Sequence, residues 1–293
     1  MIRETAAFIE RHPSLQKRGI RYSISTNGTL LTREVIDFLD SHRFRVNLSH
    51  DGLAQEMTRP SGMNSLLLGF LDRMIGLKGI ELETNSVFIP STAGEVFGSA
   101  RLLVESGVKN CHLTYSIIHP WDSASLNQLR NQVRELREFL VRHYLRSYTI
   151  PIENFRSRPV RSSLFWCSAG QDRLALAADG RLWGCRFFAD FFAENPGHRE
   201  SDQYCFGDIE ELEKRSDHQN RTTWKTYRRL RQDGFSSEHI ACRECDRLLS
   251  CRTCPATAAF AAGDIGRVPT WMCDINRLWR EEVGKFWMEV DKS

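Results

Sequence analysis

The chain has 293 residues, enough for one large domain or two ordinary ones, and its 41% hydrophobic and 26% charged content excludes disorder over most of its length. A net charge of +3, with 40 Lys and Arg interspersed among 37 Asp and Glu, gives no electrostatic case for a nucleic-acid or membrane partner. The longest apolar runs, such as Ser65–Leu71, are far too short to span a bilayer, and Met1–Arg11 has no signal-peptide core, so the expected location is cytoplasmic.

Met1–Arg11 reads as a helix, and Ile20–Thr26 as a strand closed by the turn pair Asn27-Gly28. Thr32 caps a helix with Val35, Ile36 and Leu39 on its apolar face. Arg45–Ser49 is a short strand ending at Asp51-Gly52. Asn64–Lys78 is helical, with Leu67, Phe70, Leu71 and Met74 on one side. Leu82–Ile89 is a strand stopped by Pro90, Ala93–Glu105 a helix stopped by Gly107, and His112–Ile118 the next strand. Ser123–Arg146 is the longest helix. Four strands alternating with helices indicate a parallel α/β sheet, whose ligands belong at the carboxyl ends of the strands. Those ends are Thr26–Gly28, Ser49–Gly52 and Ile89–Ser91.

The pattern changes after residue 150. Pro151–Trp166 is irregular and basic and reads as a linker. Arg173–Cys185 reads as a hairpin turning at Asp179-Gly180. Asp190–Cys205 reads as polar loop, Phe206–Arg231 as helical in pieces, and Asp274–Met288 as an amphipathic helix. Trp183, Phe187, Phe188, Phe191 and Phe192 either wall off a metal centre or form ordinary core.

Eight of the nine cysteines fall between Cys167 and Cys273. A reducing compartment disfavours disulfides, so the cluster points to metal or redox chemistry. Cys242, Cys245, Cys251 and Cys254 form C-x2-C-x5-C-x2-C, and a C-x2-C pair lets two thiolates converge from one tight turn. Seven or eight cysteines suit two four-ligand sites better than one. Zinc and iron–sulfur clusters both accept four thiolates, so ligand type alone does not decide between them. Cys111, beside a strand, reads as an ordinary buried thiol.

Cys167, Gly180, Cys185, Cys242, Cys245, Cys251, Cys254 and Cys273 stand in the order of a SPASM domain, the auxiliary iron–sulfur module of radical S-adenosylmethionine (SAM) enzymes, which the chain resembles. The Cys251-to-Cys254 step is x2 where that pattern has x3. ISTNGTLLT at Ile24–Thr32 resembles the third barrel strand and turn of such enzymes, and LSHDG at Leu48–Gly52 resembles their SLDG strand end. The resemblance implies a partial (β/α)6 radical-SAM-type barrel with four of six βα units over 1–150, a linker over 151–166, and a small α+β SPASM domain over 167–293. It also implies two [4Fe–4S] clusters. Cys242, Cys245, Cys251 and Cys273 would hold one, and Cys167, Cys185 and Cys254 the other, with either an open iron or Cys205 in the fourth position. Ser49 and Arg59 match SAM-contacting positions, Arg59 standing two residues early. Asn27 and Asp51 lie at the same mouth, and turn chemistry accounts for Asn27 equally well.

By the same resemblance the chain is an oxidoreductase of the peptide-maturase kind. Its partners are a peptide or protein substrate and an electron donor such as a flavodoxin or ferredoxin. Such chemistry needs a C-x3-C-x2-C loop, and this sequence contains none. The expectation is a truncated chain, or a degenerate relative, for which SAM is a cofactor only with the missing part present. The alternative is a non-catalytic iron–sulfur or zinc-binding module for a protein or peptide partner. Sulfatase-maturing relatives place an aspartate base directly after the hairpin cysteine, where this chain has Arg186.

Overall fold

The computed structural model describes residues 2–17, 19–59, 62, 64–158, 167–210, 217–238 and 240–292. The chain divides into two compact units. One comprises Met1–Tyr115, Gln128–Ser157 and Phe286–Ser293, the other Ser116–Asn127 and Arg158–Lys285. The sequence suggested a single crossing within 151–166; residues 116–127 and 286–293 are grouped differently from that expectation. Part of the expected linker, 159–166, lies outside the described residues, as does 211–216 in the segment read as helical in pieces.

The first unit contains α1 (Ile2–Glu10), α2 (Pro13–Gln16), β1 (Ser23–Thr26), α3 (Arg33–Ser41), β2 (Arg45–Ser49), α4 (Gln55–Thr58), α5 (Asn64–Ile75), β3 (Glu81–Phe88), α6 (Val96–Glu105), β4 (Cys111–Tyr115), most of α7 (Ser123–Ser147) and α8 (Glu153–Arg156). The four strands form one parallel sheet in the order β1-β2-β3-β4. Strand periodicity sends Val46, Leu48, Thr84, Ser86, Phe88, Cys111 and Leu113 to one buried face. Ile36, Leu39, Leu67, Leu71, Met74, Ala100 and Leu103 of the helices are buried with them. The Thr32 hydroxyl accepts the Val35 N–H at 3.2 Å, the cap expected for α3.

Two strands are shorter than the sequence suggested. β1 starts only at Ser23, after Tyr22, whose ring stacks on Phe44 at 5.0 Å, and β4 runs only to Tyr115. The first part of the expected linker is an edge cover for β4. Cys111 N–H donates to Pro151 O at 2.8 Å, and Ile152 bridges to Cys111. The Asn154 amide takes both backbone groups of Leu113, donating at 2.9 Å and accepting at 3.1 Å. One side chain thus satisfies groups that an open edge would leave exposed.

The second unit contains β5 (Ala175–Leu176), β6 (Arg181–Trp183), α9 (Arg186–Glu194), α10 (Ser201–Tyr204), β7 (Cys205–Asp208), α11 (Asp217–Arg228), β8 (Ser236–Ser237), α12 (Pro255–Ala262), β9 (Arg267–Val268) and most of α13 (Thr270–Val290). β5-β6-β7 is an antiparallel sheet turned at Asp179-Gly180, and β8 and β9 pair in parallel. The segment read as polar loop is turn only over 195–200; the rest is the end of α9, α10 and the first residue of β7. Phe188, Phe191 and Phe192 recur on one side of α9 and join Trp183, Tyr204, Phe206 and Tyr227 in a buried aromatic core. Among the described residues no helix is long and apolar enough to cross a membrane.

Candidate functional site

At the carboxyl end of the parallel sheet, β2 leads into Ser49-His50-Asp51-Gly52. Asp51 is fully buried. Its carboxylate accepts Arg59 Nε–H at 2.7 Å, Val87 N–H at 2.7 Å and the Thr58 hydroxyl. Asp51 and Arg59, both expected at a ligand mouth, therefore hold each other. Ser49 is half-buried at the end of β2, in register with Asn85. Asn27 is exposed, and its Oδ1 accepts the Thr29 N–H at 3.1 Å and the Thr29 hydroxyl at 2.8 Å, a local turn. Gly52 takes φ +62°, and a Cβ there would meet Ser99 Cβ at 2.4 Å, so both backbone angle and space require glycine.

His50 has no accessible surface and was not singled out in the sequence. Its Nδ1 accepts the Gly52 N–H at 3.0 Å, which leaves the ring proton on Nε2, facing Asn64. Burial holds the imidazole pKa below its ordinary 6.5, against the opposing pull of Asp51. An unfolded chain therefore binds this proton more readily, and the associated stability is lost as pH falls below about 6.5. The urea midpoint is expected to drop between about pH 7.5 and pH 5.5, and His50→Asn, which keeps an acceptor for Gly52, should flatten that drop. An equal drop in wild type and variant would remove His50 as its source.

The sheet face away from the helices is polar. Asn85 lies in register between Ser49 and His112, and Asn47 is in register with Glu83. Glu83 stands 3.7 Å from Arg45 Nε and 3.9 Å from His112 Nε2, and the Thr114 hydroxyl reaches Asn85 Oδ1 at 3.4 Å. The alternating polar positions of ELETNSVF and CHLTY carried this signal, but only the register aligns them. A half-open cavity of about 640 Å³ lies at the opposite end of the sheet, bordered by Val108, Lys109, His143 and Ile150, away from these residues. Cys111 is fully buried, and burial pushes its thiol up to about 11.

The second unit brings the other cysteines into two groups. Burial pushes Cys167 up to about 11, with Cys254 and Cys185 adding like-charge repulsion against the Ala169 N–H and Arg173. Burial also raises Cys185, with Cys254 as a charged neighbour, while the Phe188 and Phe187 N–H groups lower it. In the other group burial raises Cys242 to about 11, with Cys251 and Cys245 adding to it. Burial likewise raises Cys273 to about 12, with Cys251, Cys242, Asp274 and Cys245 contributing. Cys185 and Cys254 are the N-caps of α9 and α12, and Cys273 lies in the first turn of α13, positions where a helix favours a thiolate. Cys205 begins β7 rather than lying in a loop. Its sulfur accepts the Gly207 N–H at 3.3 Å, and Arg181 is a charged neighbour. Cys185, Cys205 and Cys254 all pack against the aromatic core that includes Cys167.

The donor set fits thiolate-ligated centres: burial and charged thiol neighbours raise Cys167 and Cys185 in one group and Cys242 and Cys273 in the other, so these four need positive charge to be stable as thiolates. Among the described residues no three His, Cys, Asp or Glu side chains could share a single metal ion.

Tyr227 supports the first group. Its hydroxyl accepts the Gly184 N–H at 2.7 Å and donates to Tyr204 O at 2.6 Å. A Cβ on Gly184, the residue before Cys185, would meet the Tyr227 ring at 2.3 Å. Tyr227→Phe leaves both backbone groups buried without this partner and should cost about 2–4 kcal/mol in a urea titration. A cost under about 0.5 kcal/mol, ordinary for surface changes, would contradict this role.

A parallel α/β unit and a cysteine-rich unit define the class at the level of fold. No family model matches the chain, and no curated protein matches it by sequence. Among solved structures it is similar to polyhistidine-tagged anSMEcpe with bound AdoMet, at TM-score 0.65 and 15% identity, covering 98% of this chain and 78% of that one. Native anSMEcpe with bound AdoMet and Kp18Cys peptide gives 0.64 and 14%, over 98% and 82%. The same enzyme with AdoMet and Cp18Cys peptide gives 0.62 and 16%, over 98% and 81%. At this identity the likeness is one of fold.

Proposed function

We propose that this chain is a radical SAM/SPASM-type protein that acts on a peptide or protein. Its barrel-like part spans 1–150, and its SPASM domain spans 167–293, joined through 151–166. The second domain binds two [4Fe–4S] clusters. Cys242, Cys245, Cys251 and Cys273 hold one, and Cys167, Cys185 and Cys254 hold the other, leaving a fourth position to Cys205 or to a substrate group. The observation that carries this reading is the partition of seven cysteines, scattered over more than a hundred residues, into those two groups.

When bound, such clusters supply one-electron carriers whose potentials depend on charge, hydrogen bonds and exposure. The chain's own part is to place thiolates at helix starts and to screen the first group behind the aromatic core. At the sheet mouth, Asp51 fixes Arg59 and Gly52 fixes the turn, which leaves Ser49, Asn85 and His112 to meet a polar ligand. The bound AdoMet and peptides of the anSMEcpe structures support AdoMet and a peptide as the ligands of this mouth. A flavodoxin or ferredoxin is the proposed electron donor, and the cytoplasm the proposed compartment.

SAM cleavage is not assigned to these residues, because the sequence contains no C-x3-C-x2-C. Arg186 after Cys185 argues against the aspartate-base chemistry of sulfatase maturation. The reading is tested by electron paramagnetic resonance of anaerobically purified, dithionite-reduced protein. Two overlapping reduced [4Fe–4S] signals are expected. A spectrum with no iron–sulfur signal, from protein that is folded, would overturn it.

A further inference from the structure

We infer that Asn276 and Thr253 form a hydrogen-bond relay that fixes an O–H donor on the Cys251 sulfur and so raises the reduction potential of the cluster held by Cys242, Cys245, Cys251 and Cys273. This rests on the cluster assignment proposed above. Thr253 is 5% exposed and lies in the two-residue step between Cys251 and Cys254. Its Oγ1 is 3.3 Å from Cys251 Sγ and 3.0 Å from Asn276 Nδ2.

The chemistry of the three groups sets the direction of the relay. An amide nitrogen only donates, so Asn276 occupies a lone pair of the Thr253 oxygen. A cluster-bound thiolate only accepts, so the single hydroxyl proton points at Cys251. The relay thus runs from Asn276 N–H to Thr253 O, and from Thr253 O–H to Cys251 S. Buried threonines commonly turn their hydroxyl to a nearby backbone carbonyl. Thr257, half-buried four residues on, donates in this way to Cys254 O at 3.0 Å. Thr253 instead spends its bonds on a sulfur and a side chain.

α13 provides the relay's anchor and one ligand of the same cluster. It carries Cys273 in its first turn and Asn276 three residues later, so one rigid helix positions a ligand and the relay's anchor. A hydrogen bond to a ligating sulfur stabilises the more negative, reduced cluster. Thr253 and Asn276 are therefore positioning residues for this cluster's redox state, and the x2 step places the threonine beside the sulfur.

Redox titration followed by electron paramagnetic resonance, with iron and sulfide counted in the same samples, tests the relay. Thr253→Val keeps shape and removes the donor. It should move one of the two midpoints to lower potential while iron per chain stays at the wild-type level. Thr253→Ser should restore the wild-type midpoint, and Asn276→Leu should shift it in the same direction by less. If Thr253→Val retains its iron and both midpoints stay put, the relay is wrong. If it loses iron, the Asn276→Leu midpoint decides in the same way. Wild-type protein without iron and sulfide would remove the underlying assignment before any variant is compared.

Discussion

Replacing Asp51 with alanine is expected to cost about 3–5 kcal/mol of folding stability, the range for breaking a buried ion pair by removing one partner. Asp51 has no accessible surface, and its two oxygens take Arg59, Thr58 and the Val87 N–H. Removing the carboxylate leaves the Val87 N–H without this partner at the end of β3 and frees a guanidinium that is only 30% exposed. It also releases the turn that Gly52 and His50 shape. The measurement is a urea titration compared at equal slope, since a changed slope would report a different unfolded or native state. A loss under about 1 kcal/mol would show that the Asp51–Arg59 pair does not anchor this turn.

The second large effect concerns the thiol groups. With the proposed ligand sets, in which each [4Fe–4S] cluster stands on its own thiolates, Cys242→Ala should remove about four of roughly eight irons per chain and leave the other cluster's signal intact. Cys185→Ala should remove the complementary half. Carried together, the two changes should leave the protein colourless. The independence follows from the partition: Cys242 interacts with Cys251 and Cys245, whereas Cys185 interacts with Cys254. A protein that loses all of its iron on either single change would contradict two separate centres.

Much of this architecture was legible in the sequence. The strands at Arg45–Ser49 and Glu81–Phe88 alternate with period two, and α3 announces itself with Thr32 and a spaced apolar face. The misreadings have local causes. The polar residues after Asp190 hid α9, whose Phe188, Ala189, Phe191 and Phe192 are buried while Arg186, Phe187, Asp190, Ala193 and Glu194 are exposed. Pro151 and the basic residues after it suggested a linker, yet Asn154 closes the edge of β4 through its side chain, which propensity does not register. At the candidate site, the cysteine count suggested two four-ligand sites, and the division of the thiols into two named groups came from the family resemblance that their order carries. The polar row of Ser49, Asn85 and His112 was invisible because its members come from three strands, and only register aligns them. His50 was invisible for a related reason: its role is set by one backbone N–H two residues on and by full burial.

Counting iron, acid-labile sulfide and zinc per chain, in protein purified without oxygen, tests the proposal that seven cysteines of the second unit hold two iron–sulfur clusters. Roughly eight irons and eight sulfides are expected, as two [4Fe–4S] clusters require, with little zinc. Zinc without sulfide would contradict it and make the second unit a structural thiolate-metal domain.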